Sequence, residues 1–195
     1  LPICMKRIVA APTAGACGVL PAVLVNYQKE KGTADEQIVR ALYTAAGIGQ
    51  VVAARAYIAG ASGGCQAEIG TASAMAAGAL TALGGGTPSQ ITHAAAMALK
   101  NLLGLVCDPV GGLVEVPCVK RNVIGSVNAL SAADMALAGI ISRIPPDQVI
   151  DAMREVGDQM HPSLRETGQG GLANTPAARE WCAAQERSEE RRVGK

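Results

Sequence analysis

The apolar part of this sequence is dominated by small side chains. Of the 195 residues, 49% are hydrophobic, yet only 2% are aromatic and none is Phe, because alanine and glycine dominate the apolar content. Strands favour β-branched and aromatic residues, whereas small side chains allow helix backbones to approach each other closely. We therefore predict an all-α fold: a compact bundle of Ala/Gly-rich helices with loops between them.

Apolar residues at helical spacing, separated by Gly- and Pro-rich breaks, predict the individual helices. We expect N-caps at Thr33 and at either Thr87 or Ser89. Residues 60–64 and 104–117 are expected to be loops. The predicted helices cover residues 19–32, 35–57, 65–83, 90–103, 118–141 and 146–160, with a short terminal helix around Trp181.

Charge and hydropathy exclude several classes of partner. The formal net charge is +1 without a basic cluster in the body of the chain, so we predict no nucleic-acid partner. The most apolar stretch, residues 8–28, is interrupted by Pro12 and Pro21, so we predict a buried element and no membrane partner. We expect no secretory signal, and we therefore expect the six cysteines to stay reduced in the cytoplasm.

The two ends of the sequence carry separate expectations. The chain starts at Leu1 without a Met, and we expect it to be an N-terminally truncated fragment of a longer chain. Residues 187–195, RSEERRVGK, match an in-frame translation of a common sequencing adapter. We expect this tail to be an artefact and disordered, which leaves one domain over residues 1–186.

Three cysteines lie at breaks between helices instead of within periodic apolar faces. Cys65 follows a Gly pair, Cys107 precedes Asp-Pro, and Cys118 follows a Pro at a predicted helix start. A helix N-terminus stabilises a thiolate, the form that binds metal. The spacings of 42 and 11 residues, without any C-x-x-C, do not fit a zinc finger or a ferredoxin. The residues alone leave two interpretations: a three-thiolate metal site, or small buried hydrophobes.

Other features leave alternative functions open. Residues 60–64, GASGG, fit G-x-S-x-G, so a serine hydrolase could use Ser62 with Asp108 and His161. That reading needs a strand before the serine, and the sequence gives almost no strand signal there. Residues 84–87 could form a phosphate loop of a pyridoxal phosphate enzyme, but the βαβ alternation is missing. A third alternative is a non-catalytic helical subunit with inert cysteines. We interpret His93, Cys4, Cys17 and Cys182 as structural residues.

Four segments carry a resemblance to a known family. They are APTAGACGVLPAVL (11–24), GASGGCQAEIGTASAMAAG (60–78), NLLGLVCDPVGGLVEVPCVKRN (101–122) and LRETGQGGLA (164–173). In this order they resemble the iron–sulfur-dependent L-serine dehydratases, and the α chain or catalytic domain in particular. The resemblance implies that Cys65, Cys107 and Cys118 hold three irons of a [4Fe–4S] cluster and leave the fourth iron open for substrate.

The resemblance also implies an activity and partners. The expected reaction is an ammonia-lyase reaction that converts L-serine to pyruvate and ammonia, with the open iron as a Lewis acid and without pyridoxal phosphate. The expected protein partner is an L-serine dehydratase β chain. The residues do not identify the catalytic base.

Six residues are candidates for substrate binding. Backbone N–H groups in turns beside a helix can bind a carboxylate. An Arg–Asn pair one helical turn after a cysteine ligand can form paired hydrogen bonds with a carboxylate or amino group. For each candidate, a purely structural turn or cap contact is the alternative. The candidates are Thr13 and Gly15, Ser62 and Gly63, and Arg121 and Asn122.

Overall fold

The structure, a computed structural model, describes the backbone of residues 8–113 and 115–193, and the side chains up to residue 185. This part contains eight α-helices and no extended strand, so the predicted all-α fold is confirmed. Cys4 lies outside the described residues. The helices are α1 (Val19–Lys31), α2 (Asp35–Arg55), α3 (Gly60–Gly63), α4 (Thr71–Leu83), α5 (Pro88–Lys100), α6 (Cys118–Leu137), α7 (Pro146–Gln159) and α8 (Pro176–Val193). A π-helical segment covers Gln66–Gly70, and 3₁₀ segments cover Val110–Gly112, Pro162–Leu164 and Gly171–Asn174.

Helix α4 is the centre of the bundle. Every residue from Thr71 to Thr81 is buried, and the helix packs against α1, α2, α5 and α6. A helix that is apolar on all sides belongs in a core. Two of its polar side chains are hydrogen-bonded within the bundle: Ser73 donates to the Gly125 carbonyl at 2.8 Å, and Thr81 donates to the Ala77 carbonyl at 2.8 Å.

Glycines allow α2 and α4 to approach each other closely. A Cβ at Gly49 would lie 2.9 Å from Met75 Sδ, and a Cβ at Gly78 would overlap Ile48 Cδ1. Protein interiors are packed to the density of organic crystals, so such contacts leave no space for larger residues. The small side chains of the sequence therefore determine the short distance between these helices.

Helix α6 has two different faces. Its inward face is lined by small residues, and a Cβ at Gly125 would lie 2.8 Å from Ile69 Cγ2. Its outward face carries Val119, Val123, Val127 and Leu130, which are 57%, 60%, 58% and 46% exposed. These four positions share one side of the helix because they are three or four residues apart. We call them the α6 stripe.

One predicted cap is confirmed and one is wrong. Thr87 caps α5 in a capping box: its Oγ1 accepts the Gln90 N–H at 3.3 Å, and Gln90 Oε1 accepts the Thr87 N–H at 2.9 Å. The N-cap of α2 is Ala34 instead of Thr33, without a side-chain cap. Acidic residues in the first turn of α2 offset the missing cap through the helix dipole.

The structure corrects other predicted boundaries. Residues 60–64, expected to be a loop, contain the single turn α3. The predicted helix 65–83 is divided, because the π-helical segment precedes α4. Such π-turns are frequent at functional sites. Helix α6 ends at Leu137 and not near residue 141, since Gly139 adopts a left-handed conformation with φ 87°.

Helix α8 is longer than the short helix expected around Trp181. It runs over Pro176–Val193, so residues 187–193, where disorder was expected, continue a helix. Glu and Arg are abundant in this segment and have high helix propensity. Among the described residues, no helix is both long and apolar enough to cross a membrane.

Candidate functional site

Three cysteines that are distant in sequence come together at breaks between the helices. Cys65 directly precedes the π-helical segment, Cys107 lies in the irregular stretch after α5, and Cys118 is the first residue of α6. Their exposed fractions are 1%, 4% and 7%. The Gln66 N–H donates to the Leu105 carbonyl at 2.9 Å, and Arg121 donates to the Val106 carbonyl at 2.8 Å, so the segments that carry the three cysteines lie together. We call this group the three-cysteine site.

Burial keeps these thiols protonated in the absence of metal. Loss of hydration raises the pKa of Cys65 to about 12, and it also raises the pKa of Cys107 and Cys118. The sequence led us to expect thiolates favoured by helix N-termini, but burial outweighs that effect here. A metal that binds the thiolates must therefore displace their protons.

The space beside Cys107 depends on a glycine. A Cβ at Gly60 would lie 2.7 Å from Cys107 Sγ and 2.9 Å from Glu68 Oε1. In the described part of the chain, no three His, Cys, Asp or Glu side chains are arranged so that they could hold a metal ion. A single zinc ion, for example, needs its thiolates about 2.3 Å from the metal. The three-cysteine site is therefore not preformed for one ion.

Two backbone hydrogen bonds join Cys107 to a segment far along the chain. Its N–H donates to the Leu164 carbonyl at 2.8 Å, and its carbonyl accepts the Glu166 N–H at 2.7 Å. Glu166 has a positive φ of 64°, which is uncommon for a residue other than glycine. These two bonds bring residues 164–166 of the motif LRETGQGGLA to the three-cysteine site.

Glu68 belongs to the site, and the sequence analysis did not single it out. Its Oε1 accepts the Gly60 N–H at 2.8 Å, and a Cβ at Gly15 would lie 2.6 Å from its Oε2. Burial raises the pKa of Glu68, and the Gly60 N–H opposes that shift. The sequence signal was an acidic residue three positions after Cys65 in an otherwise apolar segment.

Asn122 connects the turn before α1 with the start of α6. Its Nδ2 donates to the Gly15 carbonyl at 2.8 Å and to the Cys118 carbonyl at 2.9 Å. Its Oδ1 accepts the Gly18 N–H at 3.1 Å. The amide is thus committed to backbone groups, and its role here is to hold Gly15 beside Cys118.

Arg121 is also committed to protein groups. Its Nη1 lies 2.8 Å from Asp108 Oδ1 and donates to the Val106 carbonyl at 2.8 Å. The other carboxylate oxygen, Asp108 Oδ2, accepts the Leu172 N–H at 2.7 Å. Arg121, predicted as a substrate-binding residue, therefore lies near Cys107 and Cys118 and is already paired with a buried carboxylate.

The remaining predicted substrate-binding residues differ in whether their hydrogen-bonding groups are already used within the protein. Thr13 Oγ1 is buried beside the Glu68 carboxyl group, whose ionised form it favours, although no well-aligned hydrogen bond joins the two groups among the described residues. The N–H groups of Ser62 and Gly63 both donate to the Ala59 carbonyl, so neither is available for a carboxylate. Gly63 instead packs against α7, where a Cβ at Gly157 would lie 3.0 Å from the Gly63 Cα.

The serine hydrolase alternative does not fit this geometry. Ser62 lies in the short helix α3, and the described residues include no strand that could precede a nucleophile elbow. His161 is exposed, and its Nδ1 lies 2.8 Å from Ser163 Oγ. Asp108 pairs with Arg121 instead of a histidine.

The fold and the site together define the class of protein: an all-helical protein that gathers three buried thiols, a partly buried carboxyl group and an ion pair at breaks between its helices. The chain belongs to the serine dehydratase alpha chain family, whose sequence model matches residues 3–173. The predicted family resemblance is therefore confirmed.

Relatives from several bacteria agree with this assignment. The chain is 60% identical to the probable L-serine dehydratase alpha chain of Bacillus subtilis, over 90% of this chain and 59% of that protein. It is 59% identical to the probable alpha chain of Latilactobacillus sakei, over 88% of this chain and 82% of that protein. It is 49% identical to the L-serine dehydratase of Mycobacterium tuberculosis, over 86% of this chain but only 37% of that protein.

Proposed function

We propose that this chain is the catalytic part of an L-serine dehydratase, which converts L-serine to pyruvate and ammonia. The observation that carries the proposal is the convergence of Cys65, Cys107 and Cys118 into one buried site. Support comes from the relatives, which carry the name L-serine dehydratase. The reaction involves no net oxidation, so its chemistry calls for an acid and a base instead of an electron carrier.

We propose a [4Fe–4S] cluster on the three-cysteine site as the cofactor, and no pyridoxal phosphate. Such clusters are held by cysteine thiolates. Three buried cysteine thiols in one site are the donor type that would hold such a cluster. When bound, the cluster supplies a Lewis-acidic iron with an open position for the serine hydroxyl.

We assign the removal of the substrate α-proton to Glu68. The Gly60 N–H fixes Oε1, while Oε2 lies beside the turn that contains Gly15. A positioned carboxylate is an ordinary general base. Thr13, whose buried Oγ1 lies beside the Glu68 carboxyl group, is the candidate donor to the substrate carboxylate. Arg121 and Asn122 stabilise the site through their bonds to Asp108, Val106 and backbone groups near Cys118.

We propose that the protein partner is an L-serine dehydratase beta chain. Relatives in Bacillus subtilis and Latilactobacillus sakei are named alpha chains, which points to a second chain. The α6 stripe supports a contact there, because contiguous apolar patches on a protein surface often mark interaction sites. The stripe begins at Val119, the residue after Cys118.

The test is anaerobic reconstitution of the chain, co-produced with the beta chain of the same organism, followed by iron analysis and a pyruvate assay with L-serine. We expect about four irons per chain, as a [4Fe–4S] cluster requires. We expect the variants Cys65→Ala, Cys107→Ala and Cys118→Ala to lose iron and activity. Cys182→Ala is the matched control and should keep both.

Each outcome decides between the functions considered. Iron binding that depends on the three cysteines, together with pyruvate formation, supports the dehydratase. A well-folded complex that binds no iron and forms no pyruvate would overturn the proposal and favour a non-catalytic helical subunit. Pyruvate formation that survives all three substitutions would overturn the cluster as the cofactor.

A further inference from the structure

A buried ion pair lies beside the three-cysteine site and is held from several sides. The side chains of Arg121 and Asp108 are 14% and 3% exposed, and their Nη1 and Oδ1 atoms are 2.8 Å apart. The Val106 carbonyl accepts a second bond from the same Nη1 at 2.8 Å. The guanidinium group therefore has a fixed position.

The carboxylate of the pair is equally constrained. Asp108 Oδ2 accepts the Leu172 N–H at 2.7 Å, and a Cβ at Gly171 would overlap this oxygen. Gly171 has a φ of 59°, a conformation that glycine adopts without strain. A buried ion pair often stabilises a fold no better than apolar residues would, because both charges lose their hydration. A contribution to fold stability alone therefore does not explain why this pair is held from several sides, which points to a second role.

The charges around the thiols indicate that role. Arg121 lies one helical turn after Cys118 on α6, and its Nη1 donates to the carbonyl of Val106, the residue directly before Cys107. The guanidinium group therefore lies between the segments that carry two of the three thiols, whereas the other charged groups near Cys118 are acidic. Those acidic groups are Glu68, Glu166 and Asp108. Three thiolates in such surroundings need a nearby cation.

We propose that Arg121, held in place by Asp108, is the fixed cation that offsets the thiolate charge of the three-cysteine site once metal is bound. This inference rests on the proposed function for the presence of the cluster. It changes the role of Arg121 from a predicted substrate ligand to a positioning residue that acts on the cofactor. A fixed cation of this kind slows the loss of iron from the cluster. It also raises the reduction potential of the cluster, because the reduced form carries more negative charge and is stabilised by the cation.

The first test measures the reconstituted enzyme with its beta chain. In Arg121→Gln we expect iron to pass to a chelator at least about tenfold faster and the cluster potential to fall. Arg121→Lys keeps the charge and should keep the potential closer to that of the wild type. Asp108→Asn removes a negative charge and should raise the potential. Opposite shifts in these two variants would not arise from a general loosening of the fold. Arg55→Gln, in an exposed ion pair with Asp151, is the matched control.

A second test needs no cluster. In the metal-free chain, the alkylation rate of Cys65 is measured with iodoacetate, which is an anion, and with iodoacetamide, which is neutral. A change in accessibility affects both rates and cancels in their ratio, whereas a nearby cation favours only the anion. We expect Arg121→Gln to lower the iodoacetate-to-iodoacetamide ratio about fivefold at Cys65, and Arg121→Lys to preserve it.

The two tests separate the two proposals. If the wild type binds no iron but the alkylation ratio falls, the cluster proposal fails and the placement of the cation stands. If the ratio, the iron release and the potential of a folded Arg121→Gln variant equal those of the wild type, the inference about Arg121 is overturned. If Arg121→Gln does not fold, the double variant Asp108→Asn/Arg121→Gln, which leaves no unpaired charge, takes its place with the same expected fall in the ratio.

Discussion

A carboxyl group is costly to bury, because its ionised form loses hydration. Glu68 nevertheless lies beside the three-cysteine site, with one oxygen bonded to the Gly60 N–H. We expect Glu68→Gln to keep the iron content and lower kcat for L-serine by at least about a hundredfold, since the amide has nearly the same shape but cannot accept the α-proton. Glu155→Gln, on the exposed side of α7, is the control. Turnover of Glu68→Gln at the wild-type rate would exclude Glu68 as the base.

The cysteines of the metal-free chain should differ in reactivity. Only the thiolate reacts with iodoacetamide, and burial suppresses both thiolate formation and access at Cys65, Cys107 and Cys118. Cys17 and Cys182 are partly exposed. We expect these two to be alkylated first at pH 8 and the three site cysteines to be protected, as read by mass spectrometry of peptides. Modification of Cys65 as fast as Cys182 would show that the three-cysteine site is open.

Single residues also show where sequence reasoning succeeds and where it fails. The positions of Cys65, Cys107 and Cys118 at helix breaks were predictable, because Gly and Pro mark those breaks locally. Glu68 and the Asp108–Arg121 pair were not, because their roles depend on contacts across the bundle. The sequence also did not show that the N–H groups of Ser62 and Gly63 are used within the turn α3, because the Gly-rich segment resembles a loop.

Between helices, glycines decide which contacts are possible. A Cβ at Gly125 of α6 would lie 2.8 Å from Ile69 Cγ2 and 3.3 Å from Val19 Cγ2, both on fully buried side chains. We expect Gly125→Ala to lower the free energy of unfolding by about 1–3 kcal/mol through overpacking. Denaturant titration of the metal-free chain measures this value.

Gly47 of α2 provides the opposite case on another helix. It is exposed, and a Cβ there would meet no atom within 4 Å. Gly47→Ala should therefore raise the free energy of unfolding by about 0.5–1 kcal/mol, because alanine loses less backbone entropy in a helix. Equal effects of Gly47→Ala and Gly125→Ala would mean that helix propensity, and not close packing, governs the glycines of this bundle.

Elements were predictable where their signals are local. The capping box at Thr87 and the end of α1 at Gly32, which adopts a left-handed φ of 62°, follow from residue types in a short window. The division of the predicted helix 65–83 was not predictable, because the π-helical segment forms where Cys65 and its neighbours meet residues 104–107. The Gln66 N–H donates to the Leu105 carbonyl at 2.9 Å, and the Gly104 N–H donates to Gln66 Oε1 at 2.9 Å.

For the molecule as a whole, composition predicted the fold class but not its exposed surface. The small residues of α4 and of the inward face of α6 pack as expected from the Ala/Gly content. The outward face of α6 was not singled out in the sequence, because an amphipathic pattern does not show which of two apolar faces becomes buried. In the folded chain, the α6 stripe stays exposed beside the three-cysteine site.

This arrangement leads to a prediction about assembly. In the double variant Val123→Glu/Val127→Glu, we expect loss of association with the beta chain, because burying two carboxylates in an apolar contact without partners is unfavourable. The stability of the isolated chain should change by less than about 0.5 kcal/mol per substitution, since both positions are exposed. Size-exclusion chromatography of the mixed chains measures association, and thermal unfolding measures stability.

The control for this prediction lies on another helix. Val39 of α2 is 48% exposed and outside the α6 stripe, so Val39→Glu adds the same charge to a comparable apolar site. We expect this variant to bind the beta chain like the wild type and to form pyruvate with it. If the α6 double variant also bound normally, the beta chain would contact another surface. If it bound weakly but regained activity at high beta-chain concentration, the α6 stripe would provide affinity while the chemistry depends on the residues within the bundle.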